Sequence, residues 1–374
     1  MLSAVTPAPS GPDVKARIPE SIPRRTSGPE TTLTLRPLPG EGSRELFGRL
    51  AEALQGATIL NLLVFGSVRA NAAVVTAMQR IWGTVDWPVT WVEGGACDGG
   101  AIAGIQVSAF TGGAVQRLRL DGRVVGTVFD DGAARHCLLG GLGPKPPFAS
   151  RADQTGQTLE QLGIALAQGG FTIADTVRTW FFLEDMLAWY DEFNRVRTRI
   201  YSGVKFRTGS LPASTGVGAR NPDGAALTVG ARALQPLKTS AGAREVASPL
   251  QCPAPNYGSS FSRAMEISTP AGRRLFISGT ASIAPGGESL GQGDICRQVD
   301  LTMKVVEAIL ASRGYSFADL TRAVAYFKHP AEVHVFTGWC AAHGLASLPV
   351  VPAHCDICRD DLLFELEADA GKPI

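Results

Sequence analysis

"GFTIADTVRTWFF" (Gly170 to Phe182) and "GYSFADLTRAVAYF" (Gly314 to Phe327) are one pattern written twice. Glycine, an aromatic, Thr or Ser, Ala-Asp and Arg recur at the same offsets. An amphipathic helix precedes each copy, "QTLEQLGIALAQG" and "CRQVDLTMKVVEAILASRG", with apolar residues three and four apart. Before each helix lies a short apolar strand ending in small residues, "RHCLLGGLG" and "RLFISGTAS". After each copy come a second helix, a Leu-Pro pair (Leu211-Pro212 and Leu348-Pro349) and a last strand. So long a period means duplicated domains rather than a solenoid.

A third, weaker copy precedes these two. "SRELFGRLAEALQG" reads as a helix, "ATILNLLVFGS" as a strand and "NAAVVTAMQRIWG" as a helix; "VTWVEGG" and "AIAGIQVSAF" close the unit. Its opening hairpin is reduced to "TTLTLRPL", and an unrelated α/β segment is the alternative. The resulting division is an N-terminal arm over residues 1–30, a degenerate module over 31–118, a module over 119–240 and a module over 241–374.

Composition sets outer limits. The 374 residues are 45% apolar and 18% charged, enough for a large core. A formal net charge of +1 without a long basic run argues against nucleic acid as a partner. No apolar run reaches the roughly 18 residues of a membrane span. The first thirty residues are rich in Pro, Ser and Gly, lack a signal-peptide apolar core and read as a mobile arm. Seven scattered cysteines, an odd number, suit free thiols in a reducing cytoplasm.

The closing stretch "HCDICRDDLLFELEADA" (His354 to Ala370) carries the chemistry. A single Cys-x-x-Cys supplies two ligands where a structural zinc site wants four. On one strand, Cys355 and Cys358 point to opposite faces, so no metal is expected. A redox pair needs a helix N-terminus, whereas "RDDLLFELE" reads as a turn into a strand. Alternation then puts Leu363, Glu365 and Glu367 on one face and Leu362, Phe364 and Leu366 on the other. The acidic face is either solvated or turned into a cleft. Aligning the last strands of the repeats sets Thr228 opposite Glu365, so one copy has an acid and the other does not. A carboxyl in a partly apolar cleft has a raised pKa and can serve as a general acid near neutral pH. Arg263 in "SFSRAMEI" can fork onto a carboxylate or make a structural ion pair. Tyr257, in the loop "PNYGSSF", closes over a ligand or stands exposed. Cys358 is either a small core residue or a site residue, and Gly279 can simply avoid a clash at a strand end. No phosphate loop or dinucleotide fingerprint occurs, so no cofactor is expected.

The order hairpin, helix, strand, helix, strand, with "SRAMEI…RRLFISGTASI", "DLTRAVAYF" and "LLFELEA", resembles the RidA/YjgF family. Through "LPASTGVGA" (Leu211 to Ala219), "RLFISGTASI" and "HCDICRDDLLFELE" it most resembles the chorismatases within that superfamily. The stretch "RTWFFLEDMLAWYDEFNRVR" departs from the chorismatase "RTWNY" and is closer to ordinary RidA relatives. The resemblance implies an α+β fold of tandem modules, mixed sheets with helices on one face, around a pseudo-trimeric barrel. It implies cleavage of the enolpyruvyl ether of chorismate, with Glu365 as the acid. Gly279 and Cys358 match the branch that makes 3-hydroxybenzoate; the hydrolysing branch usually has alanine at both. Arg263 and Tyr257 hold substrate in this reading, and the partner is a small-molecule carboxylate. The assembly is a monomeric pseudo-trimer or a homo-oligomer. Two alternatives stay open: a RidA-like enamine/imine deaminase, against which the absence of an Arg near Pro352 speaks, and a non-catalytic small-molecule binder.

Overall fold

The computed structural model describes residues 24–373, so most of the arm expected over residues 1–30 lies outside it. Its strands pair into three sheets. The first comprises β1 (Arg24–Ser27), β2 (Glu30–Leu35), β3 (Thr58–Gly66), β4 (Val89–Val92) and, beyond the two-residue β5 (Gly95–Ala96), β6 (Ile102–Phe110), in the order β1-β2-β6-β3-β4. Helices α1 (Ser43–Leu54) and α2 (Asn71–Trp82) cover it. The second comprises β7 (Gln116–Leu120), β8 (Arg123–Asp130), β9 (Ala134–Leu142), β10 (Thr176–Leu183), β11 (Ala213–Gly218) and β12 (Leu227–Pro236), with helices α3 (Arg151–Gln168) and α4 (Tyr190–Ser202). The third comprises β13 (Gly242–Val246), β14 (Ala264–Thr269), β15 (Gly272–Ala281), β16 (Leu320–Phe327), β17 (Val350–His354) and β18 (Phe364–Lys372), with helices α5 (Ile295–Ser312) and α6 (Val333–Ala342).

The orders β7-β8-β9-β12-β10-β11 and β13-β14-β15-β18-β16-β17 are one topology, and the first sheet repeats it without the outer edge strand. Residues 24–30, which composition places in the arm, instead form β1 and open β2, pairing from Arg24↔Leu33 to Ser27↔Glu30. Polar, Pro-flanked sequence reads as a loop, but β2 offers a free edge for the chain to pair with.

The two clear repeats share their local devices. Thr172 with Asp175, and Ser316 with Asp319, form reciprocal capping boxes on equivalent short turns before β10 and β16. Ser150 and Asp294 cap α3 and α5 by accepting from the backbone N–H groups of Asp153 and Arg297. Val299, Met303, Val306 and Leu310 of α5 pack on Phe364, Leu366, Ala368 and Ala370 of β18. That fixes one face of β18 against helices and turns Glu365, Glu367 and Asp369 to the other.

The helix-free faces of the three sheets meet at a cluster that includes Phe65, Phe182 and Tyr326, one from each sheet. Buried ions join them further. Glu30 is gripped by both terminal nitrogens of Arg232 (2.8 Å each) and by Arg274. Gln106 accepts from Arg322 (2.8 Å) and donates to the Ala323 carbonyl (2.8 Å). The described strands form three mixed sheets rather than one continuous hydrogen-bonded barrel; β5 on β17 and single bridges such as Gly218↔Asp356 link them. No described helix is long and apolar enough to cross a membrane.

Candidate active site

A cleft of about 720 Å³ opens between the second and third sheets, and Glu365, Cys358, Arg263, Tyr257 and Gly279 all line it. Helix α4 and strand β11 form one wall. Residues 257–263, the end of β15, the turn before β18 and β18 itself form the other.

Glu365 sits on β18 opposite Tyr326 of β16, and Thr228 sits opposite Phe182 of β10. Phe182 and Tyr326 occupy the same place in the repeat, so the register confirms that Thr228 stands where Glu365 stands. The strand face is not solvated: Glu365 is 4% exposed and Glu367 is fully buried. Leu363 lies just before the strand. Burial, reinforced by the charge of Glu367, pushes the Glu365 carboxyl up to about 8 against the opposing pull of Arg178 and Arg263. It therefore holds its proton at neutral pH. Burial also opposes ionisation of Glu367, but Arg322 and Arg178 outweigh it and hold that group below its ordinary range. Arg178 donates to Glu367 at 2.9 Å, and Arg322 pairs with both Glu367 and Asp369. Two carboxylates of one strand face thus have opposite states: Glu365 protonated, Glu367 ionised.

Gly279 lies where the β15–β18 register slips between Ile277 and Thr280. Its N–H donates to Thr215 Oγ1 at 3.0 Å, and Thr215 also accepts from Arg178 at 2.6 Å. A Cβ at position 279 would overlap the Glu365 carboxyl oxygen and come within 3.2 Å of Thr215 Cγ2. Glycine here leaves the acid its place.

Cys358 packs against the edges of two cores, and burial followed by the nearby Glu365 charge pushes its thiol up to about 12. It is a neutral, small wall residue and not a thiolate nucleophile. Cys355 is separate, buried in the cluster where the sheets meet. The strand-parity argument for these two cysteines does not hold, because β17 ends at His354 and both lie in the irregular link to β18; the turn, not the pleat, parts them. All seven cysteines are unbridged, and no group of three metal-binding side chains forms among the described residues.

Arg263 is 3% exposed. Its Nε donates to the Cys252 carbonyl (2.9 Å), its Nη2 has no hydrogen-bond partner among the described residues, and Tyr257 and Phe261 flank its guanidinium at 5.3 and 5.6 Å. Arg359 lies over the same Tyr257 ring at 5.5 Å, so the phenol is pinned between two arginines. Burial raises that phenol to about 12, which keeps it a neutral donor.

Sequence reasoning missed two wall residues. Arg197 is 2% exposed on the apolar face of α4, among Phe193, Val196 and Tyr201. It donates to Asn194 at 2.7 Å and leaves Nε unpartnered. A cation inside a helix's apolar stripe is a readable signal. Tyr190, the first residue of α4, stacks on Phe193, and burial, then Cys358, raises its phenol. With Arg195 and Arg199 beside them, the walls hold five arginines against Asp191 and Glu365, a setting for an anion.

The site lies between modules of one repeated topology joined in a single chain. The chain is similar in sequence to two proteins of chorismate chemistry and in fold to a chorismatase. No family model matches it. A 3-hydroxybenzoate synthase of Streptomyces hygroscopicus is 25% identical over 224 residues, 53% of this chain and 64% of that protein. A chorismatase of the same organism is 26% identical over 214 residues, 51% of this chain and 60% of that protein. The match spans less than two thirds of either relative. A chorismatase crystal structure superposes with a TM-score of 0.61 at 21% identity, covering 94% of this chain and all of that one, and so shares the fold.

Proposed function

We propose that the protein is an enzyme that cleaves the enolpyruvyl ether of chorismate, giving an aromatic acid of the 3-hydroxybenzoate type and pyruvate. One observation carries the reading: a buried glutamic acid, protonated at neutral pH, in a cleft walled by arginines. Glu365 donates its proton to the methylene carbon of the vinyl ether. An oxocarbenium ion results, which the substrate's own ring hydroxyl or water then captures. In the 3-hydroxybenzoate branch the two products together contain the atoms of chorismate, so no water is consumed. Arg263, with its unsatisfied Nη2, and Arg197 grip the two substrate carboxylates; Tyr257 and Tyr190 close the sides. Gly279 and Cys358, the pair that marks the 3-hydroxybenzoate branch, touch the space around the acid. The two Streptomyces relatives support the substrate, and the small residues support the product type.

Sheets running over 24–110, 116–236 and 242–372 support three modules close to the expected 31–118, 119–240 and 241–374, with the working cleft between the last two. Seven free thiols support a cytoplasmic setting. Deamination finds no support in the cleft: neither "LPASTGVGA", which lines it, nor the equivalent segment at Pro352 contains an arginine.

The test is incubation with chorismate, following pyruvate with lactate dehydrogenase and identifying the aromatic product by chromatography and mass spectrometry. Pyruvate with 3-hydroxybenzoate is expected. A dihydrodiol product would reassign the branch, and absence of pyruvate would end the proposal.

A further inference from the structure

A second cleft, about 500 Å³, lies between the third and first sheets and repeats the place of the first. Val333, the first residue of α6, opens it as Tyr190, the first residue of α4, opens the other. Pro352 of β17 pairs with Ala325 and Gly216 of β11 with Phe181, so these two lining residues are also equivalent.

The chemistry differs at the acid position. Phe65, Phe182 and Tyr326 share one cluster and pair with Gly104, Thr228 and Glu365. Gly104 therefore stands where the acid stands. No side chain fits there: a Cβ would lie 2.7 Å from Val351 Cγ2 and 2.9 Å from the Leu35 carbonyl oxygen. Leu35 pairs with Ile105, which brings the next residue, Arg36, abreast of Gly104, where the first cleft has Ala281 abreast of Glu365. The second cleft has thus lost a carboxyl and gained a guanidinium.

Arg36 is half-buried, and its side chain makes no hydrogen bond or ion pair among the described residues. Burial disfavours its charge, and the nearby Asp98 counters this. Glu41, the other acid on the rim, is taken by Arg49, at 2.6 Å from Nη2. The wall is mixed, and its apolar part comes from Leu38, Leu46, Ile102, Ala103, Val333 and Pro352. Its size falls within the range of small-molecule pockets. Where the first cleft offers several arginines, this one offers a single arginine beside a cluster of apolar side chains.

We propose that this cleft is a second, non-catalytic binding site for a small apolar monocarboxylate of benzoate type, its carboxylate forked onto Arg36. A planar guanidinium matches a carboxylate with two parallel bonds, and partial burial strengthens the pair. The ring rests on the apolar part of the wall, and with Gly104 in the acid's place the ligand is held but not turned over. The proposal stands whether or not the first cleft cleaves chorismate.

The test is titration of the full chain with benzoate by calorimetry, in wild type and in Arg36→Met, Asp98→Asn and Arg263→Met. Loss of a charge-assisted pair weakens binding roughly tenfold or more in Arg36→Met. Asp98→Asn removes the competing charge and binds several-fold tighter, whereas Arg263→Met removes only an event at the first cleft and keeps the one that Arg36→Met weakens. Thermal denaturation checks each fold. No binding up to about 10 mM overturns the proposal. So does binding that survives Arg36→Met but is lost in Arg263→Met. Should Arg36→Met not fold, the exposed Asp98→Asn decides alone: tighter binding supports the site, and unchanged or weaker binding overturns it.

Discussion

In the proposed reaction Glu365 acts as an acid only while it holds its proton, so its titration is expected in the rate. Turnover of chorismate is expected to be flat below neutrality and to fall as pH rises through about 8, where the buried carboxyl ionises. Glu365→Gln keeps the shape but cannot protonate carbon; kcat should drop by about 10²–10⁴ and the limb near 8 should vanish. A profile with the same limb in the variant would assign the titration to another group. The same residue costs stability. Its pKa is raised in the folded state, so the unfolded chain ionises first and the cost grows as pH rises from the ordinary carboxyl range to about 8. The Tm of Glu365→Gln should therefore exceed that of wild type by a margin that widens from pH 5 to 8. Gly279→Ala sets a methyl against the acid and gives the residue that the family resemblance assigns to the hydrolysing branch. The expected outcome is a shift of product from 3-hydroxybenzoate toward the dihydrodiol, read by chromatography; an unchanged ratio would leave Gly279 a packing residue only.

At the level of the element, β18 shows how much a pattern can state. Alternation in "LLFELEADA" is enough to separate an apolar face from an acidic one, and the packing of α5 follows it. It cannot distinguish Glu365 from Glu367, one pleat apart on the same face. Their difference comes from β10, β11 and β16, which bring Arg178, Thr215 and Arg322 to Glu367 and not to Glu365 as hydrogen-bond and ion-pair partners. Glu367→Gln is accordingly destabilising. It leaves two buried arginines short of their counter-charge, and loss of one partner of a buried pair costs about 3–5 kcal/mol. Chemical denaturation should show that loss, while Glu365→Gln shows none of it. Arg197 was legible in principle as a cation in the apolar stripe of α4, but the composition of that helix draws the eye to its charged face.

For the whole molecule, Glu30 is the tie between sheets. It belongs to the first sheet, Arg232 to the second and Arg274 to the third. Burial opposes its ionisation, but the two arginines prevail and hold the carboxyl far below its ordinary range. A depressed folded pKa adds stability above the unfolded value and loses it on acidification. Urea denaturation should show wild type weakening as pH falls below about 4.5, whereas Glu30→Gln starts weaker by about 3–5 kcal/mol and varies less with pH. Retention of wild-type stability in the variant would remove Glu30 from the inter-sheet tie.

The duplication, the helix and strand of each repeat, the capping turns and the acid on the last strand were all determined by local sequence, because propensity, period and turn chemistry act over a few residues. The hairpin at residues 24–35 was not, since β1 has no signal of its own and exists by pairing. The state of Glu365 was decided only by tertiary structure. Burial comes from α4 and β11 of one repeat closing over β18 of the next, and the neighbouring charge is fixed by Arg178 and Arg322, far from it in the chain. A pKa is a property of surroundings, and here the surroundings come from separate repeats that meet only in the fold.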